Sequence, residues 1–219
     1  MITIDNKLFS YWKPKNVRTN LIVEKIRHKY DVKTGHAGTL DPFAEGILLI
    51  CTGTKTKNVS EAQNLSKVYI AEIKLGQETN TLDRDGEVIK NKPVRNISKN
   101  ELKTVISSFL GPILQRPPSF SALKKNNVRL YKLARKDIYI NLRPRKVMIN
   151  SIKFISFEID KLVIEVNCEK GTYIRSLARD IGNALGTYAY LSELTRTSIG
   201  HYDKKSCVNL DIELSDENF

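Results

Sequence analysis

The 219-residue chain is poor in cysteine and has no long apolar segment. Its three cysteines, Cys51, Cys168 and Cys207, are odd in number and far apart. This spacing argues against a disulfide framework and indicates a reducing compartment. The longest apolar run, 47–51, is far short of the roughly 20 residues that cross a membrane, and the first residues lack the pattern of a signal peptide. These absences predict a cytoplasmic protein with no membrane partner.

Motifs for metal, nucleotide and serine chemistry are also lacking. The three histidines are scattered, and no cysteine pair has the spacing of metal ligands. The segment 53–56 resembles part of a phosphate-binding loop, but Gly46 is two residues too far upstream and Thr54 intervenes before the lysine. No glycine-rich dinucleotide motif follows a strand pattern, and no serine lies in a nucleophile elbow. The sequence therefore predicts neither a metal nor a cofactor.

Charge is the first positive indication of function. The chain has 36 Lys and Arg against 24 Asp and Glu, a formal net charge of +12 that suits a polyanionic partner. Nine of the basic residues lie between Lys124 and Lys146, where Asp137 is the one acid. A Lys-rich solvated surface would explain the composition equally well. The clustering, with Tyr131 and Tyr139 interleaved, favours contact with RNA or DNA.

The hydrophobic periodicity predicts a mixed α and β protein. Because the strand patterns are half-exposed and adjacent, they indicate a largely antiparallel or mixed sheet rather than a doubly wound parallel one. Strands are predicted at 68–75, 147–159 and 162–168, with a tight turn at 160–161. Thr19 or Asn20 is predicted to cap a first helix, Ser98 to cap a second that Gly111 ends, and a third is predicted to begin near Tyr173. No change of composition divides the chain, so we predict a single domain over 1–219.

The segment 35–46 is the densest in turn residues. Two of its glycines permit a positive φ, and Pro42 holds the preceding residue, Asp41, in an extended conformation. The pattern predicts a stiff loop that presents one carboxylate. Ordinary turn chemistry accounts for the same residues, so the segment alone leaves a turn and a catalytic loop as alternatives.

This segment resembles the signature of the TruB family of tRNA pseudouridine synthases, in which a G-H-x-G-x-L-D-P loop carries the catalytic aspartate. The resemblance spans roughly residues 8 to 202, and its motifs follow in the family's order. They are Lys13-Pro14, 46–57, Lys67-Val68-Tyr69, 75–86, 117–124 with 130–131, and 170–177. It implies the pseudouridine synthase fold, an α+β architecture with a mixed, largely antiparallel central sheet flanked by helices.

The resemblance also implies the catalytic residues. Asp41 corresponds to the carboxylate that acts at the ribose of uridine-55 in the T-loop of tRNA. Arg175 corresponds to the guanidinium that keeps this carboxylate ionised. Tyr69 corresponds to the aromatic residue that holds the detached uracil and handles its C5 proton. Without the resemblance, Tyr69 would be interpreted as a core tyrosine and Arg175 as a surface ion-pair partner.

Substrate contacts and partners follow from the same resemblance. His36 matches the residue at the position from which the base flips out, and Leu194 and Tyr173 match the pocket wall and its support. Basic residues are expected to hold the phosphates, among them Lys13, Lys67 and Lys124. The expected partner is the T-arm of tRNA, with no obligatory protein partner, and the protein is expected to be a monomer.

Several positions depart from the family pattern. Asn16 and Asn127 replace expected glycines, Arg18 replaces a serine, and Phe120 replaces a frequent tyrosine. Asparagine tolerates a left-handed backbone better than most residues, so the two asparagines are plausible substitutes. The resemblance ends near Tyr202, and we expect no C-terminal RNA-binding module of the PUA type. Two alternatives remain: an inactive tRNA-binding or tRNA-folding protein, and the catalytic subunit of a guide-RNA-dependent particle.

Overall fold

The computed structural model describes residues 3–214, which form twelve strands and five α-helices. The strands are β1 (Leu8–Lys13), β2 (Thr34–His36), β3 (Glu45–Thr52), β4 (Lys67–Leu75), β5 (Gln77–Thr79), β6 (Val88–Asn91), β7 (Gly111–Gln115), β8 (Lys124–Lys125), β9 (Val128–Arg129), β10 (Arg145–Glu158), β11 (Lys161–Cys168) and β12 (Ala189–Ile199). The helices are α1 (Thr19–Tyr30), α2 (Val59–Asn64), α3 (Lys99–Ser107), α4 (Leu130–Ala134) and α5 (Ile174–Ala184). Within 3–214, no helix combines the length and apolarity that crossing a bilayer requires.

The chain divides into two compact units. The first comprises 3–70 and 194–214, and the second comprises Ala71–Glu193. Both breaks fall inside regular strands, β4 and β12, where neither glycine, proline nor a change of charge marks a boundary. Neither break is therefore predictable from composition or turn residues.

In the first unit the strands pair in the order β1–β3–β12–β4. β1 runs antiparallel to β3, with Lys13 opposite Gly46, whereas β12 runs parallel to β3, with Arg196 also opposite Gly46. β2 pairs antiparallel with the other end of β3. Helix α1 buries Ile22 and Ile26 in the cluster that contains Leu48 of β3. The parallel β3–β12 pair among antiparallel ones makes this a mixed sheet.

In the second unit the order is β12–β4–β11–β10–β7, with β12 and β4 contributing their residues within Ala71–Glu193. β10 pairs antiparallel with both β11 and β7. Two short ribbons, β5–β6 and β8–β9, stand outside this sheet. Helix α5 buries Leu177 and Ile181, as its periodicity predicts. The largely antiparallel mixed sheet and the α+β class are confirmed.

Three local predictions need correction. Thr19 does not cap α1, because Arg18 occupies the cap position and no side chain bonds there. Helix α3 ends at Ser107, four residues before the glycine that was expected to end it. The β10–β11 turn lies at Ile159 and Asp160, one residue earlier than predicted. Ile159 adopts φ 58°, a conformation that a β-branched residue rarely takes, so sequence preference could not place this turn.

Gly46 is required by the close approach of β3 and β12, which predicts the effect of replacing it. Its φ is +121°, and a Cβ built there would lie 2.7 Å from the backbone nitrogen of Arg196 and overlap the carbonyl oxygen. We expect Gly46→Ala to lower the free energy of unfolding by at least about 2 kcal/mol, measured by urea denaturation. The control is Gly35→Ala, whose Cβ meets only Val59 Cγ2 at 3.8 Å and Thr56 Cγ2 at 4.0 Å. Equal stability of the two variants would contradict this role for Gly46.

Candidate active site

Asp41 lies in the irregular segment 37–44, which connects β2 to β3 and which we call the aspartate loop. The loop makes few backbone hydrogen bonds of its own: Ala44 N–H donates to Asp41 O at 3.2 Å, and Ala37 N–H donates to Leu49 O of β3 at 2.9 Å. The Asp41 side chain is partly buried. A segment with so few bonds needs other groups to fix its conformation.

Lys13, the last residue of β1, is the first of these groups. Its side chain is completely buried, and its ammonium donates to three carbonyl oxygens: Pro14 O at 2.8 Å, Pro42 O at 3.0 Å and Ala44 O at 2.6 Å. These bonds use all three donors of the ammonium group. The predicted direct contact between Lys13 and an RNA phosphate does not fit this burial. Lys13 instead fixes the part of the loop that follows Asp41.

Arg196 of β12 fixes the part of the loop that precedes Asp41. The guanidinium is 1% exposed, and its Nη2 and Nη1 donate to Gly38 O at 3.1 Å and Thr39 O at 3.3 Å. Its Nε donates to Ile47 O of β3 at 2.6 Å. A planar group with donors on several sides suits this task, because it bonds the strand and the loop at once.

Thr19 completes the set from the first turn of α1. Its hydroxyl donates to Leu40 O at 2.8 Å and accepts from Leu40 N–H at 3.1 Å, next to Asp41 in the chain. Lys13, Thr19 and Arg196 therefore bond five carbonyls of the loop from three different elements. The role of Thr19 and Arg196 could not be predicted from the sequence, because a polar residue on a helix or strand is ordinarily solvated.

The buried ammonium lies within electrostatic reach of the aspartate. Burial lowers the pKa of Lys13 from 10.5 to about 8; the negative charges of Asp41 and Glu45 oppose this shift, and the positive charge of Arg196 adds to it. The aspartate loop is thus held by positive charge on both sides of its carboxylate.

The candidate uracil-binding residues lie on β4 and β12. Tyr69 is 8% exposed on β4, and Leu194 is 4% exposed on β12. The two strands are neighbours, and Thr197 Oγ1 of β12 donates to Val68 O at 3.2 Å. His36 ends β2 opposite Ile50 and is partly buried.

Lys67 begins β4 but does not project to solvent. It is 6% exposed, and its ammonium donates to Gln63 O and Leu65 O, each at 2.6 Å. Its Cε lies 4.0 Å from where a Cβ on Gly38 would be. As for Lys13, this burial does not fit a direct phosphate contact. Lys67 instead bonds the last turn of α2 and the residue that follows this helix.

In the second unit, Arg175 is the second residue of α5 and is 6% exposed. Its Nη1 lies 3.1 Å from Asp83 Oδ2 and donates to Thr81 O at 3.0 Å, and its Nη2 donates to Phe120 O at 3.0 Å. Phe120 contributes its backbone here, so the loss of the family's tyrosine hydroxyl leaves this contact intact. Asp83 is a partner that sequence analysis did not single out, although it lies within the 75–86 motif.

The remaining predicted residues of the second unit differ in exposure. Tyr173 is partly buried just before α5, and its N–H donates to Gln115 Oε1 at 2.8 Å. Lys124 is exposed on the β8–β9 ribbon, directly opposite Arg129 and beside Lys125. Two cations facing each other across a ribbon repel, so an anion between them would relieve that repulsion. Within 3–214, no cluster of three or more His, Cys, Asp or Glu side chains is arranged to hold a metal ion.

Comparison with known proteins decides the family. The model of the TruB family pseudouridylate synthase N-terminal domain matches residues 25–174, and the model of the tRNA pseudouridylate synthase B C-terminal domain matches residues 175–217. The chain belongs to the TruB family. It is 42% identical to the tRNA pseudouridine synthase B of Clostridium tetani over 97% of this chain and 74% of that protein. It is 38% identical to the tRNA pseudouridine synthase B of Parabacteroides distasonis, over 94% of this chain and 91% of that protein.

Solved structures agree with this membership. A chain in the crystal structure of a Cbf5-Nop10-Gar1 complex is 28% identical, with a TM-score of 0.71. The match covers 92% of the present TruB-family chain and 51% of the solved one, so this chain spans about half the length of that relative.

Two departures from the TruB pattern are explained by backbone conformation. Asn16 adopts φ 61° and Asn127 adopts φ 62°, both in the left-handed region where the family has glycine. The prediction that asparagine would substitute for glycine at these positions is confirmed.

The buried ammonium predicts a pH dependence of stability for this TruB-family chain. Since the pKa of Lys13 is about 8 when folded and 10.5 without burial, the unfolded chain binds more protons between these values. Wild-type stability should therefore rise relative to Lys13→Met by up to about 3 kcal/mol as the pH increases from 8 to 10.5. Below pH 8 the difference should be constant. Urea unfolding at a series of pH values measures both curves, and parallel curves throughout would contradict the prediction.

Proposed function

We propose that this TruB-family chain converts a uridine of tRNA into pseudouridine, and that the target is uridine-55 in the T-loop. The observation that carries the proposal is the loop that presents Asp41, whose backbone carbonyls are bonded by Lys13, Thr19 and Arg196. The family membership and the relatives named tRNA pseudouridine synthase B support the substrate class.

The reaction is an isomerisation. The N1–C1′ bond of uridine breaks, the uracil turns, and a C5–C1′ bond forms; C5 loses a proton and N1 gains one. We assign Asp41 to the ribose, either as the nucleophile at C1′ or as the base at C2′. A carboxylate in a fixed loop is already oriented, so the entropy of placing it is lost on folding rather than in the reaction.

The other groups are assigned to the base and to charge. Tyr69 offers an aromatic face to the detached uracil and a hydroxyl for the C5 proton, and Leu194 offers an apolar wall. Arg175 is assigned as the guanidinium of the active site. Its carbonyl partners, Thr81 O and Phe120 O, and its ion pair with Asp83 hold it in one orientation, which is what a positioned charge requires.

RNA binding supplies the energy to expose the target. Extruding a base from a folded loop costs a few kcal/mol, and we assign His36 to the space that the base leaves. Because Lys13 and Lys67 are buried, the phosphate contacts fall to exposed cations such as Lys124.

Replacing the carboxylate isosterically tests the chemistry. Asp41→Asn keeps the shape of the side chain but removes its charge, so we expect no detectable turnover and tRNA affinity within about threefold of the wild type. Release of tritium from C5-labelled uridine in a tRNA transcript, without guide RNA, measures turnover, and filter binding measures affinity.

The matched control is Glu24→Gln, the same change at an exposed position of α1, which should leave turnover unchanged. Wild-type protein that binds tRNA without releasing tritium would instead support a tRNA-binding or tRNA-folding protein. Turnover that appears only with added guide RNA would support the particle subunit.

The β8–β9 ribbon predicts a salt dependence. Lys124, Lys125 and Arg129 are exposed. The affinity that a phosphate contact provides falls as the salt concentration rises, because the release of counterions becomes less favourable. Replacing all three with Ala should reduce the magnitude of the slope of log affinity against log salt by about 2 to 3, since each lost phosphate contact removes about 0.7–0.9.

The control for the ribbon carries three Ala substitutions at exposed lysines elsewhere, Lys33, Lys92 and Lys103. It changes the net charge equally, so it separates local contact from general attraction. Equal slopes for the two triple variants would place the RNA away from the ribbon.

A further inference from the structure

A small pocket of about 120 Å³ lies in the second unit, at the end of β7, the start of β10 and the turn before α5. Its walls include the apolar side chains of Leu123 and Val147 together with Tyr173. Asp41, Tyr69 and Arg175 do not line the pocket, whereas Tyr173 does. Its composition raises the question of what it binds.

The polar groups of the pocket favour an anion. Arg145, Lys146 and Lys170 line it, and none of its lining residues in the described part of the chain is acidic. Arg145 and Lys146 are exposed, so they contribute charge at the rim rather than a buried ion pair. They are also the last two cations of the basic segment 124–146, so the pocket shares two residues with the segment predicted to contact RNA.

A buried amide points to the same kind of ligand. Gln115 is 1% exposed, and its Oε1 accepts from Tyr173 N–H at 2.8 Å, which fixes which end of the amide is the NH2 group. That NH2 group, Nε2, has no hydrogen-bond partner among the described residues. A buried donor without an acceptor costs about 1–3 kcal/mol, and a ligand oxygen would remove that cost.

The backbone leaves room for a ligand to approach. Gly171 also lines the pocket and adopts φ +85°, and a Cβ built there would meet nothing within 4 Å. The wall is therefore open at this point, and a ligand oxygen can come close to the main chain.

We propose that this pocket binds one backbone phosphate of the RNA substrate. Gln115 Nε2 donates to a phosphate oxygen, and Arg145, Lys146 and Lys170 neutralise the charge at the rim. A phosphodiester suits the site better than a base, because the pocket offers a donor and three cations but no carboxylate to receive a base amino group. The inference rests on the proposed function, since its ligand is the RNA on which that function acts.

Two variants test the pocket. In Gln115→Glu the side chain still accepts from Tyr173 N–H, but a carboxylate oxygen replaces the donor and repels a phosphate. Arg145→Ala removes one exposed cation and leaves the fold unchanged. We expect each to weaken binding of a T-arm hairpin RNA by about tenfold, and Arg145→Ala to lower the salt slope by about 0.7–0.9. The control is Lys103→Ala, an exposed cation of the same unit outside the pocket.

A scan of the RNA locates the phosphate. Methylphosphonate linkages, which are neutral, are placed one at a time along the hairpin. Wild-type protein should lose affinity at one particular linkage, and Gln115→Glu and Arg145→Ala should be insensitive there while keeping the wild-type response elsewhere. If both variants bind like Lys103→Ala, or respond to that linkage as the wild type does, the inference is overturned.

Failure of this inference is distinguishable from failure of the proposed function. Tritium release from the wild type is measured on the same tRNA. If the wild type releases tritium and the pocket variants bind RNA as tightly as it does, the phosphate site is overturned and the proposed function stands. Absence of both turnover and binding in the wild type overturns the function and, with it, the pocket. If Gln115→Glu does not fold, the result for Arg145→Ala, which changes an exposed residue, decides the test.

Discussion

The aspartate loop depends on one constraint: its carbonyl groups are bonded by side chains from outside the loop. A segment without regular secondary structure has carbonyls that no ladder satisfies, and each needs a partner when it is buried. Lys13, Thr19 and Arg196 provide those partners from β1, α1 and β12. Since two of the three are cations, the bonds are charge-assisted and stronger than neutral ones. The backbone that carries Asp41 is therefore held by three elements.

The loop bonds are linked to the close pairing of β3 and β12. Arg196 lies opposite Gly46 in this parallel pair, and from there its guanidinium bonds Gly38 O and Thr39 O. The same contact excludes any side chain at position 46. Gly46 thus serves the loop indirectly, by allowing the strand that carries the guanidinium to come close. Burying two cations carries a desolvation cost, which appears as the lowered pKa of Lys13.

The sequence predicted those features that depend on local periodicity. The alternation in β4 and the helical spacing in α5 were both interpreted correctly, because each buries one face of a regular element. It did not predict the roles of Lys13 or Asp83, since a charged residue is buried only through partners far away in the chain. Lys13 bonds residues 42 and 44, and Asp83 pairs with Arg175. The motif residues themselves were identified by family resemblance, not by periodicity.

The positive charge of the chain has two separate uses, which a net value of +12 conceals. Lys13, Arg196 and Arg175 are buried and bonded, so solvent ions screen them little. Lys124 and Arg145 are exposed, and their attraction to phosphate weakens as salt rises. The buried set holds backbone carbonyls of the aspartate loop and the neighbours of Arg175, and the exposed set is available to the phosphates of the proposed RNA substrate. Salt should therefore act on affinity far more than on the chemical step, because only the exposed cations exchange their counterions with the solution.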